Sequence, residues 1–292
     1  MGHSIQGNQA PFFTPMNKHI HLCLIKKCES DECFREVMYS LFVAFTRLGF
    51  VVSSGDNLFR KDITNIVFGF WRQPNVVQNS IVYNLEPVTE KSINDGRVPI
   101  EALKRYRVWD YSPRNVLELK TVDVDDYLVE IGYVPEMTRF PKLEEDLDVV
   151  FFGALTPRRA AVLAELGRRG YRVYASARLY GAKRDHLVSR AKVVLNMHSS
   201  EDIKSFEIVR IAPSLANKKC IVTERAEGDW FPEDLRYGMW VAPYDKLVDA
   251  CTTILDSFVL REEIAECGYN LFRKRDQVEI LDKAIKEGAL AA

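Results

Sequence analysis

The sequence predicts an α/β fold built from parallel sheets in two domains, and three observations carry that prediction. Apolar, β-prone runs alternate with helix-length amphipathic segments along the chain. The length of 292 residues exceeds one ordinary domain. A segment of mixed proline and acidic residues, 135–146, divides the chain near its middle.

The first half, read as a domain over 18–138, begins with an apolar strand at 19–25. Residues 31–48 follow with apolar side chains at helical spacing, Asp31 as N-cap and Gly49 just past the C-terminus. Strands are expected at 50–53, 65–70, 80–85, 106–111 and 129–134, with a loop at 54–57 and a short helix at 113–119. The second half, read over 147–275, repeats the rhythm more clearly. Its strands are expected at 148–152, 171–175, 191–197, 219–223 and 239–242. Its helices are expected at 157–169, with proline at the first position, and at 184–190, 205–216, 244–257 and 260–274. A final amphipathic helix covers 276–290.

Hydrophobic residues at 47% and charged residues at 28% are ordinary for a globular protein. A net charge of −1 with no basic tract argues against a nucleic-acid binder. The six cysteines contain no CxxC pair and read as free thiols in a reducing cytoplasm. No apolar run approaches the roughly 20 residues of a membrane span, and residues 1–17 read as a loose tail. A cytoplasmic location is therefore expected, with peripheral membrane contact left open.

Ligands of open parallel sheets bind beyond the carboxyl ends of the strands, so the residues that follow strands carry the functional signal. Gly153 follows one strand and permits close backbone approach, and Arg158 and Arg159 open the next helix, a combination suited to a diphosphate. Tyr180, with Arg178 and Gly181, follows another strand and can line a nucleobase pocket. Asn196 and His198 end a third strand. Lys204, Ser205, Phe206 and Glu207 then lead into a helix that includes Arg210. Backbone N–H groups there suit phosphate oxygens, and the two oxygens of Glu207 suit a ribose diol. Neither GxGxxG nor GxxxxGK[ST] occurs, which argues against a nicotinamide dehydrogenase and a P-loop kinase. His19 and His21 share one strand face without further ligands in view, so packing is the simpler reading. The acidic run at Asp123, Asp125 and Asp126 reads as a solvated loop.

Taken in order, DVVFFGAL (148–155), LYG (179–181), VLNMH (194–198), SFEIVR (205–210), LAN (215–217) and IVTE (221–224) resemble the C-terminal domain of GT-B glycosyltransferases. The nearest resemblance is to the bacterial group related to spore-maturation-type enzymes. SSGDN (53–57), IVYNLE (81–86), VWDYSPRN (108–115) and IGYVP (131–135) extend the similarity through the first half. The resemblance implies two Rossmann-like domains facing across a cleft, with the last helix returning to the first domain. It implies sugar transfer from a nucleotide-sugar co-substrate without a bound metal or other cofactor. Glu207 is then the ribose-binding carboxylate, and Gly153 lines the phosphate site. The acceptor class stays open among glycans, lipid-linked carriers, proteins and small molecules. Many retaining members carry two glutamates eight positions apart around this helix. Here those positions hold Ser205 and Pro213, which leaves the stereochemistry unassigned. A general base for an inverting route would come from Glu86, Asp56 or Asp110 at strand ends of the first half, with Trp109 or Tyr111 stacking on a sugar. A sugar-nucleotide epimerase of the same fold and a catalytically degenerate nucleotide-binding module are the alternatives.

Overall fold

The computed structural model describes residues 18–203, 205–225 and 231–290. Lys204 therefore lies outside the described residues.

The first sheet draws on β1 (His19–Leu24), β2 (Val51–Asp56), β3 (Thr64–Phe68), β4 (Ser80–Asn84), β5 (Arg107–Asp110) and β6 (Asp126–Leu128), in the order β2-β1-β3-β4-β5-β6. Its connecting helices are α1 (Arg35–Arg47), α2 (Glu90–Asn94), α3 (Ile100–Leu103) and α4 (Pro113–Lys120). The second sheet draws on β7 (Leu147–Phe152), β8 (Val173–Ser176), β9 (Ala191–Asn196), β10 (Cys220–Glu224) and β11 (Trp240–Ala242), in the order β11-β10-β9-β7-β8. The helices α5 (Pro157–Arg168), α6 (Gly181–Ser189), α7 (Ile208–Leu215), α8 (Leu247–Asp256) and α9 (Phe258–Arg273) belong to this half, and α10 (Gln277–Lys286) closes the described chain. Every strand pairing is parallel. The predicted α/β class and its parallel sheets hold.

The central strands explain the sequence pattern. Ile20, Leu22 and Leu24 of β1 and Val149, Val150 and Phe151 of β7 are covered on both faces, so their runs read as continuously apolar rather than alternating. Each sheet reverses its strand order once, between β1 and β3 and between β7 and β9. A crevice opens at such a switch point.

The last helix packs against α1 of the first half. Its N-terminus is set by Gly132, whose N–H donates to Gln277 Oε1 at 2.8 Å. Beyond the helix, Trp109 Nε1 donates to the Ala289 carbonyl at 3.0 Å. Trp109 is thus a core residue, fully buried, and stacks on no sugar.

Four local expectations need correction. The loop expected at 54–57 is largely strand, since β2 continues to Asp56 in register with Leu24. The strand expected at 129–134 lies earlier, at β6. Val129, Ile131 and Val134 are buried, but that stretch ends in an isolated bridge from Tyr133 to Asp276 instead of a sheet ladder. The helix expected from residue 205 begins at Ile208, with Glu207 as its N-cap. Asp31 does not cap α1; its carboxylate accepts the N–H groups of Lys27 and Cys28 inside a 3-10 turn that precedes the helix.

Candidate functional site

Both switch points open onto one cavity of about 450 Å³. From the first half come Asp31 after β1, Trp71 and Arg72 after β3, Glu86 and Pro87 after β4, and Tyr111 after β5. From the second half come Gly153 and Ala154 after β7, Tyr180 after β8, the 199–203 loop after β9, and Glu207 and Arg210 beside α7. Gly153 sits at φ +143°, a conformation that side-chain-bearing residues rarely adopt, and a Cβ there would reach 3.4 Å from the Arg210 guanidinium.

Glu207 is the electrostatic centre of the second half. It is 8% exposed. Its Oε1 accepts from Arg210 at 2.8 Å and from Arg159 at 3.3 Å, while Oε2 faces His198 Nδ1 at 3.3 Å. Burial works against its charge, but Arg210, His198 and Arg159 together outweigh it and hold the carboxyl down at about 2. Arg210 is oriented in turn by Asn196 Oδ1 at 2.8 Å. Arg159 is almost wholly buried, and its remaining donors go to the carbonyls of Ala154 and Met197. Burial and then the like charge of Arg210 pull its pKa down to about 10.

Across the cavity stands Glu86. Burial raises its pKa, with Arg72 pulling the other way. Arg72 itself is anchored by Asp31, whose Oδ1 accepts Nε at 2.9 Å.

The structure thus gathers Glu86, Gly153, Arg159, Tyr180, Glu207 and Arg210 around one cavity, with Asn196 and His198 buried just behind it. Other expectations fail. Arg158 does not face the cavity. It forms a two-pronged ion pair with buried Glu224, its Nη1 at 2.7 Å from Oε2, and lies 3.7 Å from the ring centre of Tyr244. Phe206 is buried against Phe231. Ser205 is 1% exposed and turns its hydroxyl to Asn115 of the first half, 2.7 Å away, rather than to a phosphate.

Two of the three candidate bases also fall away. Asp110 is fully buried and accepts hydrogen bonds from Asn84, Asn115 and the Ser112 N–H, so no acceptor reaches it. Burial raises its pKa to about 8 against those three donors. Asp56 lies outside the cavity, bound by both terminal nitrogens of Arg35 at 2.8 and 3.0 Å.

Sequence reasoning missed Arg72, Asp31 and the ion network that closes the halves. In that network Glu36 of α1 accepts from Arg139 at 2.7 and 2.8 Å and from Arg184 at 2.8 Å, and Asp185 joins both arginines. Apart from the adjacent Arg184 and Asp185, the partners are distant along the chain, so nothing local in the sequence marks the network.

Among the described residues, no group of three or more metal-ligating side chains comes together, and no helix is long and apolar enough to cross a membrane. His21 bonds Ser53 Oγ and the Leu58 carbonyl, both at 2.8 Å.

No family model matches the chain. Uncharacterized protein R358 of Acanthamoeba polyphaga mimivirus is 25% identical over 191 residues, covering 63% of this chain and 66% of its own length. Uncharacterized protein L140 of the same virus is 26% identical over 220 residues, covering 72% and 68%. The matched region thus spans about two thirds of those relatives. Solved structures match over more of the chain. HepE of Anabaena, crystallised with UDP and glucose, superposes with a TM-score of 0.63 at 13% identity, over 94% of this chain and 100% of that one. Sucrose-phosphate synthase of Thermosynechococcus elongatus gives 0.59 at 12% identity over the same shares. A DNA-modifying β-glucosyltransferase, studied with and without UDP-glucose, gives 0.56 at 13% identity, again over 94% and 100%. The chain has the GT-B fold of these glycosyltransferases.

Proposed function

We propose that this protein transfers a hexose from a nucleoside-diphosphate sugar to an acceptor hydroxyl. The observation that carries the reading is the cage on Glu207. A carboxylate held ionised at the N-terminus of α7, beside two arginines and under the strand ends of a parallel sheet, is suited to a ribose and its diphosphate. The fold supports it, since matched structures bind UDP and UDP-glucose.

In this reading the ribose hydroxyls donate to Glu207. Its Oε1 already accepts two guanidinium groups and its Oε2 is buried against His198, so the first hydroxyl takes the place on Oε1 that Arg210 gives up. Arg210, the more exposed of the two arginines, is the one free to turn from Glu207 toward the diphosphate. The acceptor oxygen attacks the anomeric carbon, the bond from that carbon to the β-phosphate oxygen breaks, and the nucleoside diphosphate leaves. Its charge is met by Arg210, Arg159 and backbone N–H groups after β7 and β9, which assigns the stabilisation to the protein instead of a metal. Glu86, facing from the other half, takes the acceptor proton, and its raised pKa suits a base working near neutral pH.

The test is calorimetric titration with UDP alongside UDP release from UDP-glucose. Glu207→Ala is expected to lose UDP affinity by about tenfold or more, the scale of a lost charge-assisted hydrogen bond. Unchanged UDP binding in that variant defeats the assignment. Release of a free epimer without any acceptor would identify an epimerase instead.

A further inference from the structure

Asn115 lies behind the cavity rather than in its lining, fully buried in the first turn of α4. Its side-chain nitrogen donates to the Glu86 carbonyl at 2.9 Å and to the two oxygens of Asp110 at 3.0 and 3.2 Å. Its side-chain oxygen accepts the Val88 N–H at 2.9 Å and the Ser205 hydroxyl at 2.7 Å. Asn84 adds a second amide donor to the Glu86 carbonyl, at 2.9 Å, and is itself tied to Asp110 at 2.7 Å. Two amides fixed on one buried carboxylate therefore grip the loop that carries Glu86. The bond to Ser205 joins that grip to the other half of the molecule, two residues before Glu207.

We propose that Asn115 and Ser205 are positioning residues for glycosyl transfer, their bond across the cleft setting Glu86 against the donor held at Glu207. The inference rests on the glycosyltransferase reading above. The ion network at Glu36, Arg139 and Arg184 also joins the halves, so it holds them together when the Ser205 bond is removed. That network engages neither the Glu86 loop nor Glu207, whereas the Asn115–Ser205 bond engages the first directly and the segment bearing the second. Removing the Ser205 hydroxyl leaves Asn115 Oδ1 still satisfied by Val88, so no buried acceptor is orphaned and the cost to folding is small. The cost to catalysis is large, because a base displaced by about 1 Å loses on the order of a hundredfold in rate.

The experiment compares wild type, Ser205→Ala and Ser205→Thr. UDP affinity is read by calorimetry and turnover by UDP release from UDP-glucose. Amide hydrogen exchange at Glu86, Val88 and Thr89 is measured with and without UDP. Ser205→Ala is expected to bind UDP like wild type and melt close to it, yet release UDP at least about tenfold more slowly through kcat rather than KM. UDP should protect the three amides in wild type and not in Ser205→Ala, and Ser205→Thr should restore both protection and rate. Wild-type protection and kcat in Ser205→Ala overturn the proposal. If neither UDP nor another nucleoside diphosphate binds even wild type, the donor reading is what fails. The comparison without nucleotide then decides this proposal alone: faster exchange of those amides in Ser205→Ala supports it, and equal exchange overturns it.

Discussion

Replacing Glu207 with glutamine keeps the shape of the side chain and removes its charge, which makes it the cleanest probe of the cage. The carboxyl is held at about 2, against an ordinary 4.5, so its ionised form is favoured in the folded state by about 3 kcal/mol at neutral pH. The group is buried, so water screens little of this. The sign follows from the depressed pKa. The contribution is complete above the unfolded value near 4.5, shrinks to about 1 kcal/mol by pH 3, and is gone once pH falls through the folded value of about 2. The neutral-pH figure already contains the attraction of Arg210 and Arg159, which is what lowers the pKa. Thermal unfolding of both proteins at pH 7 and pH 3 is the assay. At roughly 2–4 °C per kcal/mol for chains of this order, the gap in Tm at pH 7 should be about 6–12 °C and should narrow markedly at pH 3. A gap of equal size at both values would show that Glu207 carries no depressed pKa, and the caged carboxylate would be wrong.

The remaining predictions divide structure from chemistry. Arg158→Ala should lower Tm while leaving UDP affinity intact in calorimetry, because its guanidinium serves Glu224 and Tyr244 rather than the cavity. Glu86→Gln should bind UDP normally and abolish transfer, and the acidic limb of the wild-type kcat profile should lie above the usual carboxylate range, since burial raises this pKa and deprotonation is what activates the base. Gly132→Ala should cost about 2 kcal/mol or more in chemical denaturation, because its Cβ would fall 2.3 Å from the Arg275 carbonyl, where α10 joins the first half.

The fold was legible because its signal is local. Buried central strands such as 148–152 are short apolar runs, and α5 announces itself with Pro157 at its first position. Legibility failed where a long-range contact decides the conformation. Residues 129–134 are as apolar as a strand, yet the chain there leaves the sheet to receive α10, and no property of that hexapeptide records the arrival of Asp276 and Gln277. The start of α7 was misplaced for a related reason. Ser205 stands at the start of the expected helix, but its hydroxyl binds Asn115, ninety residues away, and the helix begins only at Ile208.

The site shows the same limit more sharply. Asp56 and Asp110 end strands of one sheet and Glu86 follows a third by two residues, and sequence position ranks them almost equally. What separates them is which neighbours complete their hydrogen bonds. Asp56 has Arg35 on the protein surface, and Asp110 has two asparagines and a backbone N–H in the core, so both are already satisfied. Glu86 reaches the cavity because its own backbone, not its side chain, is what Asn84 and Asn115 hold. The buried Asp110 carboxylate thus anchors, through two asparagines, the loop that carries Glu86, and the arginine pair that looked alike in sequence splits the same way. Arg159 faces the cavity, and Arg158, one residue earlier, turns to Glu224 at the end of β10. Adjacent helical residues point about 100° apart, and here that turn sends the two consecutive arginines to different partners.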